Sequence, residues 1–319
     1  MIRLGLFAAV ACVVATMTAA TAVSGSSSEV DSCEYVEAGS PGPAGNRLEV
    51  SSTFSELEIF RKGDRIVVRA PGVHCIGGPA TVSNLDSIVL RGENVVIDER
   101  GGLFAPGASG EGGGAEIEIA VYSKRLTLEG RPRADSIAAA TLGNGQVSVD
   151  VDRDAASSDW DIALREGIPA LLMLKGAEGP DRVDAKRLTG MGDAHLEHVI
   201  RLFGEDGDDT ILGGPGAEFR ISDGRGDDLV RSGPGNDSVT LGRGHDRVYG
   251  GGGDDEISYD VYERFTGTPA DPSDRLFGGP GDDYLGDLNR HSDLLRCGPG
   301  RDRVEPESKD RPAADCERR

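Results

Sequence analysis

The sequence is poor in large apolar and aromatic residues. Hydrophobic residues make up 37% of its 319 residues, aromatic residues make up 5%, and tryptophan occurs once. An ordinary globular domain of this length carries more large apolar side chains. Glycine, in contrast, occurs 47 times. This composition leaves two alternatives, an acidic disordered chain or a repetitive fold that does not depend on a large core.

Positive charge and long hydrophobic runs are scarce as well. The 34 lysine and arginine residues face 55 aspartate and glutamate residues, so the formal net charge is -21. Nucleic acids and anionic membranes repel such a chain, and we expect neither as a partner. Beyond residue 22 no apolar run reaches the roughly 20 residues that cross a bilayer. We therefore expect no membrane insertion after the N-terminal segment is removed.

The first residues predict export. Arg3 supplies a short basic region, the stretch from Leu4 to Ala20 is largely apolar, and Ala20-Thr21-Ala22 offers a small-x-small cleavage site. We interpret residues 1–22 as a signal peptide and expect a secreted, extracellular protein. The alternative is an uncleaved membrane anchor, although threonines interrupt the apolar run near its end.

Cysteine is rare, and removal of the signal peptide leaves four of the five cysteines. An even number in an exported chain favours disulfides. The four lie in two groups at opposite ends of the chain, so the simplest pairings are Cys33 with Cys75 and Cys297 with Cys316. Their spacing is not that of a zinc finger and no CxxC motif occurs. We expect no metal or redox role for them.

Signatures of common catalytic sites are missing. The sequence contains no P-loop, no GxSxG elbow and no HExxH motif. Its histidines are scattered, and the residues around His195 and His198 do not repeat with a helical period. We therefore predict that the protein is not an enzyme.

What the sequence does contain is a nine-residue period in its last third. Each unit approximates G-G-x-G-x-D-x-U-x, where U is aliphatic, and four units follow one another in strict register from Asp223 to Ser258. Degenerate segments from Pro269 and Leu288 keep only the aspartate and the apolar residue. The clearer units are GEDGDDTIL (from Gly204), the ten-residue GGPGAEFRIS (Gly213), DGRGDDLVR (Asp223), SGPGNDSVT (Ser232), LGRGHDRVY (Leu241), GGGGDDEIS (Gly250), GGPGDDYLG (Gly278) and CGPGRDRVE (Cys297).

This pattern resembles the RTX, or hemolysin-type, calcium-binding nonapeptide repeat of secreted bacterial proteins. The resemblance implies an all-β fold, a parallel β-roll or β-solenoid in which two units make one coil. It also implies calcium ions between equivalent turns of neighbouring coils. The glycine-rich half of each unit has to turn sharply, which glycine permits. The second half forms a short strand with one inward side chain, and the expected interior stack is Ile211, Ile221, Val230, Val239, Val248 and Ile257.

The period also places one aspartate in every turn. One buried aliphatic side chain does not compensate the ordering of nine residues, and neighbouring aspartates repel each other, so a cation is required. A hard divalent ion with oxygen ligands meets that need, and we expect several Ca2+ ions. Glu218 stands at the same place but is longer and adjoins an insertion, so we do not count it as a ligand. The candidate metal ligands are Asp209, Asp228, Asp237, Asp246, Asp255, Asp283 and Asp302.

Upstream, the repeat persists in degraded form. Strand-like runs ending in glycine recur, for example Ser87-Ile-Val-Leu-Arg-Gly92 and Leu171-Leu-Met-Leu-Lys-Gly176. We expect a degenerate β-solenoid with few or no calcium turns, and a separate small β domain remains the alternative. The expected organisation is a signal peptide (1–22), an N-terminal disulfide-closed β region (23–110), a degenerate β-solenoid (111–203), a calcium-binding β-roll (204–305) and a disulfide-closed tail (306–319).

A second acidic cluster copies part of the EF-hand spacing. Asp150, Asp152, Asp154 and Asp161 stand at ligand positions, but Ala155 replaces the required glycine and the preceding residues alternate like a strand. We interpret the cluster as a polar hairpin tip, with a single calcium loop as the alternative.

These features together predict a secreted calcium-binding β-roll that folds on binding the ion and acts as a structural or binding module. The alternative function is a carbohydrate-active β-solenoid enzyme or a cell-surface adhesin. Arg220, Arg231 and Arg247 would supply the basic stripe of such an enzyme, but each adjoins aspartate-rich turns and more simply offsets charge. An extracellular polysaccharide or cell-surface partner is left open.

Overall fold

The computed structural model describes residues 31–36, 46–53, 56–102, 104, 117–142, 146–151, 162–165, 170–189, 199–215, 219–259, 273–286, 291–306 and 308–317. Within these ranges every regular element is a β-strand. None of them contains a helix that is long and apolar enough to cross a membrane. The predicted signal peptide lies outside the described residues.

The described strands in chain order are β1 (Ser32–Val36), β2 (Arg47–Ser51), β3 (Leu57–Lys62), β4 (Arg65–Arg69), β5 (Cys75–Ile76), β6 (Ser87–Arg91), β7 (Asn94–Asp98), β8 (Glu118–Tyr122), β9 (Arg125–Glu129), β10 (Ser136–Thr141), β11 (Val147–Val151), β12 (Ile162–Leu164), β13 (Leu171–Glu178), β14 (Arg182–Arg187), β15 (Val199–Asp206), β16 (Thr210–Leu212), β17 (Phe219–Arg225), β18 (Leu229–Pro234), β19 (Ser238–Leu241), β20 (Arg247–Gly252), β21 (Glu256–Tyr259), β22 (Arg275–Phe277), β23 (Tyr284–Gly286), β24 (Leu294–Arg296), β25 (Arg303–Val304) and β26 (Arg311–Pro312).

These strands form two long sheets that run the length of the molecule. The fifteen-strand sheet has the order β26-β24-β22-β20-β18-β16-β14-β10-β11-β12-β8-β6-β2-β1-β5, and the eleven-strand sheet has the order β25-β23-β21-β19-β17-β15-β13-β9-β7-β3-β4. Successive strands of the C-terminal part alternate between the sheets, and each pairs in parallel with the strand two places away. The predicted winding of two units per coil is therefore confirmed.

The core lies between the two sheets. Ile211, Val230 and Val248 stand in register in the fifteen-strand sheet. Ile221 and Val239 stand in register in the other sheet and continue to Ile257. All six are buried, so the predicted interior stack is confirmed. Each strand is short because its neighbours in sequence are glycine turns.

The same sheets continue upstream, so the N-terminal part is a continuation of the solenoid and not a separate sandwich. Antiparallel pairs interrupt it where β1 meets β2, where β3 meets β4, and where β11 lies between β10 and β12. β11 and β12 flank the acidic cluster at residues 150–161, which fits the predicted hairpin. Residues 152–161 themselves lie outside the described residues.

Both predicted disulfides are present. Cys33 is bonded to Cys75, which joins β1 to β5 at one end of the fifteen-strand sheet, and Cys297 is bonded to Cys316 near the other end. Next to the second disulfide, β26 pairs in parallel with β24 and adds a last strand to this sheet.

Candidate metal sites

The turns between strands line up two rows of buried aspartates. In the first row each aspartate immediately precedes a strand of the fifteen-strand sheet; in the second it precedes a strand of the eleven-strand sheet. All of them are at most 5% exposed. The first row comprises Asp135, Asp181, Asp209, Asp228, Asp246, Asp274 and Asp293. The second row comprises Asp237, Asp255, Asp283 and Asp302. All seven candidate ligands from the sequence lie in these rows.

One carboxylate oxygen of each aspartate has a structural role. The backbone N–H of Asp209 donates to Oδ1 of Asp228 at 2.7 Å, and the N–H of Asp228 donates to Oδ1 of Asp246 at 3.0 Å. The second row repeats this bond, since the N–H of Asp255 donates to Oδ1 of Asp283 at 2.9 Å. Apart from that of Asp135, each Oδ1 thus accepts a backbone N–H of the preceding coil, which fixes the direction of the carboxylate.

The other carboxylate oxygen is buried without a comparable bond. Within the described residues, the Oδ2 atoms of Asp181, Asp209, Asp228, Asp255, Asp283 and Asp302 have no hydrogen-bond partner. A buried ionised carboxylate without compensation is strongly unfavourable, so such oxygens point to a missing cation or proton.

The pKa values show the same imbalance. Burial, opposed by the backbone hydrogen bond from Asp209 and reinforced by the charges of Asp246 and Asp209, raises the pKa of Asp228 to about 8. Burial likewise raises the pKa of Asp209 to about 6 and that of Asp255 to about 7. Without a cation, these carboxyl groups therefore keep a proton to a higher pH than an ordinary aspartate does.

Carbonyl oxygens converge on the same place. A Cβ atom at Gly250 would lie 2.5 Å from Oδ2 of Asp255 and 2.7 Å from the carbonyl oxygen of Gly278 in the next coil. At Gly204 a Cβ atom would overlap Oδ2 of Asp209 and the carbonyl oxygen of Asp223. Glycine at the first place of the unit thus leaves room between a carboxylate and a carbonyl oxygen. This oxygen-only donor set fits Ca2+.

Two further glycines shape each turn. Gly251 and Gly253 have φ angles of 114° and 119°, values that L side chains rarely adopt. The N–H of Gly253 donates to the carbonyl oxygen of Pro280 in the next coil. Ala177 and Glu205 stand at the second place of their units, the place of Gly251, and keep positive φ angles of 114° and 77°. The upstream units therefore hold the same turn at the expense of backbone strain.

Asp223 is a functional candidate that the sequence reasoning missed. It occupies the first place of its unit, where most neighbouring units have a small residue, and it is completely buried. Its Oδ1 accepts the N–H groups of Gly224 and Gly242. Carboxylate oxygens of Asp223, Asp228 and Asp246 lie within 4.8 Å of one another. Burial and the charges of Asp246 and Asp228 raise the pKa of Asp223 well above its usual value.

Asp274, Asp293 and Asp181 were also missed as site residues. Oδ1 of Asp274 accepts the N–H of Asp246 at 2.8 Å, and Oδ1 of Asp293 accepts that of Asp274 at 2.7 Å. The units of Asp274 and Asp293 have no glycine, whereas the unit of Asp181 keeps two and lies where we expected few or no calcium turns. The remaining signal was an aspartate two residues before a buried aliphatic residue.

The first row begins with a different partner. The Arg131 side chain forms an ion pair with Asp135, and its Nε donates to Oδ1 of Asp135 at 2.7 Å. Both side chains are buried. A guanidinium group therefore supplies the positive charge at this end of the row.

The second row begins with an apolar residue. The N–H of Phe219 donates to Oδ1 of Asp237 at 2.9 Å, so Phe219 stands in register with the aspartates. Its side chain is completely buried. Glu218, which the repeat had aligned to this place, lies outside the described residues. The extra residue of the ten-residue unit shifts the register here.

An outer row of exposed side chains supports the turns. Asp227 donates its N–H to Oδ1 of Asp208 at 2.9 Å, and His245 donates its N–H to Oδ1 of Asp227 at the same distance. Asn236, Asp254 and Asp282 repeat the pattern at the other edge. The residue before each ligand aspartate thus contributes its side chain to the coil-to-coil hydrogen bonds.

The architecture defines a class, a parallel β-roll whose turns hold rows of buried carboxylates. The sequence matches the RTX calcium-binding nonapeptide repeat in four copies, over residues 201–218, 221–257 and 273–285. The predicted resemblance is therefore confirmed for this part of the chain, and the chain carries RTX repeats. Comparison with curated proteins and with solved structures found no match.

Proposed function

We propose that this protein is a secreted calcium-binding β-roll that acts as a structural or binding module and not as an enzyme. The calcium-binding role belongs to residues 204–305. The observation that carries the proposal is the set of buried carboxylate oxygens that have no hydrogen-bond partner among the described residues. A calcium ion bound to these oxygens would supply the positive charge that balances the buried carboxylates.

The ligands we propose are the seven aspartates predicted from the repeat, joined by Asp223. Each ion would be held by aspartates of two consecutive coils, for example Asp228 with Asp246 in the first row and Asp255 with Asp283 in the second. Carbonyl oxygens of the turns complete the donor set. In the folded coil a backbone N–H holds Oδ1, so the other carboxylate oxygen is directed towards the proposed ion.

Folding on binding follows from the same charges. With the carboxylates ionised and no cation present, each row is a line of like charges in a buried environment, which destabilises the coil. A ligand that binds only the folded state stabilises it in proportion to its concentration and affinity. Extracellular calcium modules bind at roughly 10⁻⁴–10⁻³ M, so the β-roll would fold after export.

Export is supported by the N-terminal pattern and the two disulfides. Disulfides persist in oxidising compartments outside the cytosol. Cleavage near Ala22 and the two disulfides in the recovered protein would be read by mass spectrometry of non-reduced peptides.

The test is calcium titration of the full mature chain, followed by calorimetry and circular dichroism. The first variant is Asp228→Asn with Asp255→Asn, which keeps Oδ1 as an acceptor and removes the charge. The matched control is Asp227→Asn with Asp254→Asn, which changes the exposed neighbours of the same turns. We expect the first variant to lose bound calcium and the control to keep it. Equal stoichiometry in both variants would refute the assignment.

A further inference from the structure

Five neighbouring strands on one outer face of the molecule each carry an arginine. β18, β20, β22, β24 and β26 are consecutive neighbours in the fifteen-strand sheet. Each of them has one exposed, outward-pointing arginine. We call this set the arginine stripe; its residues are Arg231, Arg247, Arg275, Arg296 and Arg311. Neighbouring strands lie about 4.8 Å apart, so each step along the roll axis adds one arginine. Arg247, Arg275 and Arg311 share one register position, and Arg231 and Arg296 stand two residues further along their strands.

No acidic side chain stands between the stripe arginines on these strands, and the aspartates near Arg247 and Arg275 belong to the flanking turns. The other outward positions of these strands hold Leu229, Tyr249, Phe277 and Leu294, so no acidic side chain shares the face. Within the described part of the chain, no stripe arginine forms an ion pair. In a protein of net charge -21, arginines that simply offset charge would be expected to lie against carboxylates.

Two aromatic rings order the stripe. The rings of Tyr249 and Phe277 are stacked, with centroids 4.7 Å apart. The guanidinium of Arg231 lies 4.6 Å from the centroid of Tyr249, and that of Arg296 lies 5.9 Å from the centroid of Phe277. The stack thus holds two guanidinium groups at fixed places, three strand spacings apart. Groups that are already ordered lose less entropy when they bind a ligand.

The opposite face lacks this arrangement. At the corresponding outward positions of the eleven-strand sheet, Arg220 is followed by Ser238, Glu256 and Tyr284. Arg303, which stands beside Tyr284 on the next strand of this sheet, forms an ion pair with Glu305. The repeat does not require arginine at these places, so the stripe is a property of one face.

We propose that the arginine stripe binds a linear acidic polysaccharide, with the arginines contacting the carboxylates of the sugar units. Guanidinium groups bind carboxylates with two parallel hydrogen bonds, and a row of them fits a polymer with charges at regular intervals. The strands are short, about 10 Å for three residues, and aspartate-rich turns flank them. A single polysaccharide chain fits on this strip, whereas a nucleic-acid duplex is wider and would place its phosphates against the aspartates.

The proposal rests on the proposed function in one respect. Calcium in the turns would remove negative charge on both sides of the stripe, so we expect tighter polysaccharide binding with calcium than without it. Calcium binding is measured first, in the absence of polysaccharide. A failure of calcium binding is therefore distinguishable from a failure of the stripe.

The experiment measures binding of the full mature protein to oligogalacturonates by calorimetry in millimolar calcium. Fully methyl-esterified oligomers serve as the neutral probe, and single-stranded DNA serves as a different polyanion. The stripe variant and the control both remove four positive charges. The stripe variant is Arg231→Gln, Arg247→Gln, Arg275→Gln and Arg296→Gln. The control changes four arginines that do not belong to the stripe. Its substitutions are Arg220→Gln, Arg225→Gln, Arg301→Gln and Arg303→Gln.

We expect the stripe variant to bind oligogalacturonate at least about tenfold more weakly and the control to bind like the original protein. The neutral probe should not bind. If the stripe variant does not fold, Arg247→Gln with Arg275→Gln is tested, because the cation–π contacts described for the aromatic pair are those of Arg231 and Arg296. Absence of binding by the original protein, equal losses in both variants, or equally tight binding of DNA would each overturn the proposal.

Discussion

The N-terminal coils and the C-terminal repeats share two sheets but bury different groups. In β9, Leu126 and Leu128 both point inward and are completely buried, and the same arrangement occurs in β6 and β7. In β18, Val230 is the buried aliphatic residue and Ser232 occupies the next inward place. In the fifteen-strand sheet the repeats therefore bury less apolar surface per strand, since serine or glycine takes the second inward place, and they bury carboxylates beside it.

The two regions also treat acidic side chains differently. Upstream, Arg100 forms hydrogen bonds to Asp98, with Nη2 2.7 Å from Oδ2, and Arg131 forms the ion pair with Asp135. Burial acts to raise the pKa of Asp98, but the hydrogen bonds and charge of Arg100 bring it below its usual value. In the repeats, no arginine of the described residues is paired with Asp228, and burial raises its pKa to about 8. Asp98 and Asp135 thus have an arginine as counter-charge within the fold, whereas Asp228 has none among the described residues.

Removal of calcium should separate the two regions most clearly. With a chelator, we expect amides of residues 204–305 to lose most of their protection from hydrogen exchange, while the strands between Arg47 and Glu129 remain protected. Mass spectrometry of peptides from the full chain measures both regions in one sample. Loss of protection in both regions to the same extent would show that the upstream coils also depend on calcium.

A double-mutant cycle sharpens the account of the rows. Asp228→Asn and Asp246→Asn alter neighbours in one row, so their effects on calcium-dependent stability should be non-additive by about 1–3 kcal/mol. Asp228→Asn with Asp237→Asn changes two different rows and should be close to additive. Thermal unfolding at fixed calcium measures both combinations. Coupling between the rows and none within the first would contradict sharing of ions between consecutive coils.

The pH dependence of the calcium-free protein should differ in sign from that of an ordinary ion-paired domain. The folded pKa of Asp228, about 8, lies above its unfolded value near 3.9. The folded state therefore binds more protons between these values, and stability decreases as the pH rises through this range. With a chelator we expect the repeats to be more stable at pH 5 than at pH 8, by on the order of 1 kcal/mol. Unfolding followed at both pH values tests this, and a rise in stability towards pH 8 would contradict it.

The smallest expected effect concerns backbone strain in the turns. Glu205 has a positive φ of 77° at a place where later units have glycine. Glu205→Gly should relieve the backbone strain of the folded state, but glycine also gives the unfolded chain more freedom. We expect the strain relief to be the larger effect, so the protein should become more stable by about 1 kcal/mol or less. The control is Gly251→Ala, which should destabilise it, since a Cβ atom there overlaps the carbonyl oxygen of Gly233. Denaturant unfolding with calcium present compares the two, and a destabilised Glu205→Gly protein would argue against strain.

Much of the fold and of the rows could be predicted because a nine-residue period fixes both the turn and the strand. It placed Asp209 and Asp228 in one row without any knowledge of contacts. The period could not reveal Asp223, because a single acidic residue at a glycine position looks like ordinary variation. Nor could it decide between Glu218 and Phe219, since an inserted residue allows either register. A strand pattern does not tell which strand will be its neighbour. The antiparallel pairing of β11 with β10 could therefore not be predicted from the sequence.

The short final strand has a consequence for the state of assembly. A sheet that grows by identical parallel additions has an open end, where unpaired backbone groups could accept a strand from another molecule. Here the last strand, β26, is only two residues long, and Pro312 has no N–H to donate. The nearby bond between Cys297 and Cys316 ties the following chain back to the roll. A strand from another molecule therefore finds few backbone groups to pair with at β26.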